Sequence, residues 1–96
     1  MQIPFRLQPK PYIVSPCLKA LETIYEDSDF IVVNKPAGLL TQPGRLKENH
    51  DSVLTRLQKA LDTPYLVHRL DLDTSGLVLL AKHKAAAGAA GRLFEK

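Results

Sequence analysis

The chain has 96 residues, 45% hydrophobic and 24% charged, with a formal net charge of +3 and a pI near 9.2. These values exclude a wholly disordered chain and leave room for one domain, which at this length buries only about 60–65% of the surface its unfolded form exposes. The basic balance admits a polyanionic partner without demanding one.

The single cysteine, Cys17, excludes an internal disulfide and cannot build a zinc site alone, which fits a reducing compartment. There is neither an apolar stretch of about 18 residues nor a secretory pattern at the N-terminus, so no membrane is expected and the cytoplasm is the expected location.

Residues 1–20 form a lead-in with Pro4, Pro9, Pro11 and Pro16, which remove backbone donors and fix φ; an extended segment lying on the surface is expected. Leu21 to Tyr25 reads as a short strand, Glu26-Asp27-Ser28-Asp29 as a turn whose side chains bond their own backbone, and Phe30 to Lys35 as a β-branched strand completing a hairpin. Pro36 and Gly38 stop that strand, and Pro43-Gly44 turns the chain within a long loop. From an N-cap at Asp51 or Ser52, the apolar residues Val53, Leu54, Leu57, Ala60 and Leu61 share one helical face, which Thr63-Pro64 ends.

Leu66 to Leu70 reads as a strand whose alternation places His68 on one face and Arg69 with Asp71 on the other. After a Thr74-Ser75-Gly76 turn, Leu77 to Ala81 is continuously apolar, as a strand covered on both faces would be. Lys84 to Glu95 is Ala-rich and predicts a helix, with Gly88 and Gly91 each costing about 1 kcal/mol relative to Ala. Residues 21–96 therefore predict an α+β domain with a mixed, mainly antiparallel sheet and flanking helices.

Charged residues threaded through the apolar stretch Leu66 to Leu77 are the strongest chemical signal in the chain. Asp71-Leu72-Asp73-Thr74-Ser75-Gly76 starts like a calcium-binding loop, but Lys82 stands where the bidentate Glu is required. An aspartyl-phosphate enzyme also carries Asp-x-Asp after a strand; it wants an uninterrupted apolar strand before the motif and a helix after it, and neither is present here. The plainest reading is an Arg69–Asp71 ion pair followed by a turn.

The whole phrase His68-Arg69-Leu70-Asp71-x-x-Thr74-Ser75-Gly76-Leu77 closely resembles the signature of the RluA family of RNA pseudouridine synthases. Upstream, Phe30 to Leu40 resembles the family's earlier motif, and Pro43-Gly44-Arg45-Leu46 with Asp51-Ser52-Val53 resembles the subgroup acting on ribosomal RNA and tRNA. The resemblance spans residues 21–96 and implies isomerisation of uridine to pseudouridine in an RNA partner, with no cofactor, no metal and no obligate protein partner.

It implies that Asp71 is the catalytic carboxylate, acting on the sugar either as nucleophile or as base. Arg69 is expected to stabilise the RNA around a flipped nucleotide while orienting Asp71. Lys35 and Arg45, and less strongly Lys47, are candidates for phosphate contact. Asp73, Thr74, Ser75 and Gly76 are expected to shape the Asp71 loop, and His68 to be a buried, hydrogen-bonded histidine rather than an RNA contact.

The resemblance also has a gap: the family's Lys-x-Tyr motif has no counterpart, since Tyr12, Tyr25 and Tyr65 stand in the wrong places. A truncated, N-terminal portion of a synthase with little or no activity of its own is therefore expected, the alternative function being a non-catalytic RNA-binding remnant.

Overall fold

The computed structural model describes residues 13–94, and the prolines at 4, 9 and 11 lie outside the described residues. Four strands form one sheet in the order β1-β2-β4-β3: β1 (Glu22–Glu26), β2 (Phe30–Lys35), β3 (Tyr65–Leu66) and β4 (Gly76–Ala81), with every pairing antiparallel. Among the described residues two helices accompany them, α1 (Val53–Gln58) and α2 (Lys84–Phe94), with a 3₁₀ turn at Lys47–Asn49. This is the α+β class expected from the sequence.

The β1–β2 hairpin turns on Asp27. Its Oδ1 accepts the amides of Asp29 at 2.8 Å and Phe30 at 2.7 Å, so the side chain satisfies donors that the reversal leaves unpaired. Lys82 and His83 then hold the turn against the end of β4: Lys82 Nζ donates to Glu26 at 2.6 Å, and the His83 ring meets Asp29 at 2.8 Å.

The core lies on one face of the sheet. The register places Ile31 opposite Leu80 and Val33 opposite Val78, and these four side chains pack with Leu39, Val53 and Leu57. The β-branched Val33 and Val78 meet side by side on the pleated surface, next to the Ile31–Leu80 pair, and such cross-strand pairs favour the sheet. The opposite face of β4 runs from Leu77, which is 56% exposed, through half-buried Leu79 to fully buried Ala81, so the strand is covered on both faces only toward its end rather than along its whole apolar run.

Helix α1 opens on a capping box: the Ser52 hydroxyl accepts the Thr55 amide, and the Thr55 hydroxyl accepts the Ser52 amide. Of the two predicted caps it is therefore Ser52 that serves. The helix ends at Gln58, short of Thr63-Pro64, because Lys59 and Ala60 tighten into bonds to carbonyls three residues back. Leu61 still bonds Leu57, so the predicted apolar face survives beyond the regular helix.

Residues 13–20 carry no regular element. They run as a strap over the domain: the Val14 amide donates to Asn49 Oδ1 at 2.8 Å, and Arg56 donates to the carbonyls of Cys17 at 2.9 Å and Lys19 at 2.8 Å. Both oxygens of Asp51 in turn fix the Arg56 guanidinium.

Candidate active site

Asp71 heads a tight turn, Asp71–Thr74, closed by the Thr74 amide donating to the Asp71 carbonyl at 3.0 Å. The residue is exposed, and with Arg69, Leu70, Leu72, Leu40, Thr41 and Gln42 it lines an open cleft of ≈ 340 Å³. A second cleft of ≈ 370 Å³ flanks the turn at Leu72 and Asp73, walled by the strap. The turn thus stands as a ridge between two recesses.

Three contacts hold that ridge. Lys35, at the end of β2 and completely buried, donates from Nζ to the carbonyls of Thr74 at 2.6 Å, Leu72 at 3.1 Å and Pro36 at 3.2 Å. Its three N–H donors match these three acceptors, which is how a buried ammonium becomes tolerable. Burial holds its pKa below the usual lysine value, and the neighbouring Cys17, Asp73 and Asp71 work in the opposite direction.

The second contact is the Gly38 amide, which donates to the Leu72 carbonyl at 2.8 Å from a φ of +93° that favours glycine. The third is Thr41, whose hydroxyl accepts the Leu70 amide at 3.1 Å and donates to the Leu70 carbonyl at 2.8 Å. One buried side chain thereby replaces a strand neighbour for the residue preceding Asp71.

The predicted strand Leu66 to Leu70 stops at Leu66, and the cause is His68. Val67 still donates to the Leu79 carbonyl, but the Leu79 amide donates to His68 Nε2 at 3.2 Å, so an imidazole occupies the place of the next backbone acceptor. The chain then leaves the sheet and reaches Thr41. Alternation therefore does not govern residues 68–71, although Arg69 and Asp71 still face one cleft. They make no ion pair with each other among the described residues; the pairs there are Arg56–Asp51, Lys82–Glu26 and His83–Asp29.

A sequence profile described as RNA pseudouridylate synthase matches residues 29–96. The dual-specificity RNA pseudouridine synthase RluA of Vibrio parahaemolyticus is 49% identical over 74 residues, 77% of this chain and 30% of that protein. Its counterpart in Escherichia coli K12 is 47% identical over 76 residues, 79% of this chain and 35% of that protein. The chain belongs to the RluA family of RNA pseudouridine synthases.

Among solved structures, human RNA pseudouridylate synthase domain containing 1 superposes with a TM-score of 0.61 at 28% identity, covering 92% of this chain and 31% of that one. Domain containing 4 gives 0.58 at 27% identity, covering 76% of this chain and 29% of that one. The chain thus spans about a third of the length of the RluA relatives it matches.

In this RluA-family chain one expected role needs correcting. Lys35 cannot meet an RNA phosphate, because it has no exposed surface and all three donors are engaged; it braces the Asp71 turn from below. Arg69 and Arg45 are exposed, Arg69 beside Asp71 and Arg45 on the loop that brings Gln42 to the same cleft. Asp73, Thr74 and Ser75 are exposed in or just after the turn, which spans 71–74 rather than 74–76.

Gly76 is already the first residue of β4, opposite Lys35. Its φ of +149° disfavours a side chain, and an added Cβ would lie 3.4 Å from the Leu70 side chain. His68 is hydrogen-bonded as expected, but half-buried rather than buried.

Sequence reasoning missed Thr41, Asn49 and Arg56. Thr41 sits in a stretch read only as loop, and its one hint is the apolar pair Leu39-Leu40 preceding it. Arg56 pairs with a residue five positions earlier that lies outside the helix, so the usual helical spacing gives no signal.

Proposed function

We propose that this chain supplies the carboxylate-bearing part of an enzyme that isomerises uridine to pseudouridine in ribosomal RNA, tRNA or both, acting in the cytoplasm. The observation that supports it is the placement of Asp71: an exposed carboxylate on a braced turn, opening into a cleft shared with Arg69. The reaction breaks the bond between uracil N1 and ribose C1′, turns the base and joins C5 to C1′, with no net redox change. Asp71 is the catalytic residue, either attacking C1′ or removing a sugar proton.

An RNA uridine must leave its stack to reach Asp71, at a cost of a few kcal/mol. Arg69 fits the task of offsetting that loss, since a planar cation stacks on bases and bridges phosphates. Arg45 adds a salt-dependent backbone contact. The loop from Pro43 to Val53 resembles that of synthases acting on ribosomal RNA and tRNA, which motivates the substrate class.

Substituting Asp71 by Asn tests the assignment. In a full-length context turnover is lost while RNA affinity is largely kept; a binding-only remnant has no turnover to lose, and a full-length Asp71→Asn protein that still isomerises uridine would refute the role.

A further inference from the structure

The contact between Thr41 and Leu70 joins two segments 29 residues apart through one hydroxyl. A hydroxyl has one proton to give and lone pairs to receive, so a single Oγ1 can serve both backbone groups of one residue at once. Thr41 does so from a buried position, 3% exposed, where no water competes.

Its own backbone is fixed as well. The Leu54 amide donates to the Thr41 carbonyl at 3.0 Å, and the Val53 amide donates to the Leu40 carbonyl at 2.8 Å, so donors from the first turn of α1 anchor both residues. A mechanical path therefore runs from the capped start of α1, through Thr41, to Leu70. The next residue is Asp71. Lys35 and Gly38 hold the far side of the turn at Leu72 and Thr74, leaving the Asp71 approach to Thr41.

We infer that Thr41 is a positioning residue for the reaction: its hydroxyl fixes the backbone of Leu70 and so sets where the Asp71 carboxylate stands in the cleft. This rests on the reading of Asp71 as catalytic. Thr41 touches no reacting atom in this role, and its replacement acts on the chemical step more than on RNA binding.

Two variants separate positioning from packing: Thr41→Val keeps the shape without the hydroxyl, and Thr41→Ser keeps the hydroxyl without the methyl. In the 96-residue chain, amide hydrogen exchange is read at Leu70, with Val33 and Val78 as core references. Thr41→Val speeds Leu70 exchange by roughly three- to tenfold, as expected for one hydrogen bond, while the references hold and Thr41→Ser restores protection.

Turnover is read in a chimera in which this chain replaces the segment it matches in the Escherichia coli relative. There Thr41→Val lowers kcat by about tenfold to a hundredfold with RNA affinity unchanged, and Thr41→Ser recovers it. Unchanged Leu70 exchange, an unchanged kcat, or a loss of affinity alone overturns the inference. So does uniform loss of protection at Val33 and Val78 that Ser does not rescue, which would make Thr41 a packing residue. An Asp71→Asn chimera that retains turnover sinks the catalytic reading instead, and the Leu70 exchange still reports whether the clip exists.

Discussion

Lys35 shows how a residue type misleads when only its charge is read. A lysine beside a basic loop invites a phosphate contact, yet the β2 register turns its side chain inward beside Val33 and Ile31, where only carbonyls meet it. Because burial lowers its pKa, the folded chain releases this proton before the unfolded chain does. Between the depressed folded value and the ordinary 10.5 the unfolded state holds more protons, so stability rises with pH across that window. Urea unfolding of wild type and Lys35→Met, compared at several pH values, should show wild type gaining on the variant as pH climbs toward 10.5; a constant difference would mean that the amine does not feel its burial. Asp71, by contrast, is marked out by its neighbours in the sequence, because acidic and cationic groups inside an apolar phrase demand an explanation that hydropathy does not provide. Thr41 was not, since hydroxyl residues are common in loops and its partner is remote in sequence.

At the level of elements, strands and helices followed pattern where packing agreed with it. Phe30 to Lys35 forms as read, and α2 starts at Lys84 as read and runs to Phe94, the last described residue. The break after Leu66 was hidden because a histidine side chain, not a turn residue, ends the ladder. The strap at 13–20 was expected to lie on the surface, but its fastening by Asn49 and Arg56 is tertiary and leaves no local trace. Arg56→Lys cannot keep the fork that holds Asp51 and two carbonyls together. Trypsin should therefore cut after Lys19 faster in that variant than in wild type, and equal rates would show the strap is held by other means. Arg56 also holds the Asp51 carboxyl below its usual value of 3.8. The sign follows: Asp51 contributes its stability above that value and loses it as pH falls through the lower folded value. The stability gap between wild type and Asp51→Asn should accordingly close in acid, as followed by unfolding at pH 2 to 6; a gap that widens there would contradict the pairing.

Considered whole, the molecule is a sheet with a packed face, a face covered only in part and the Asp71 ridge where β3 departs and β4 begins. The packed face holds Val33, Val78 and Leu80 with no exposed surface, giving the Asp71 turn a rigid base through Lys35. Fold class was readable because hairpin chemistry and β-branched runs agree with the sheet they build. The uneven burial of β4, open at Leu77 and closed at Ala81, was not readable, since an unbroken apolar run looks the same however much of each face is covered. The central claim is that the Asp71 carboxylate acts on an RNA uridine, and pseudouridine content is its most direct measure. With this chain grafted in place of its matched segment in the Escherichia coli relative, mass spectrometry of labelled RNA should find pseudouridine with Asp71 present. It should find none after Asp71→Asn, although RNA binding persists. Equal pseudouridine yield from both proteins would contradict the account.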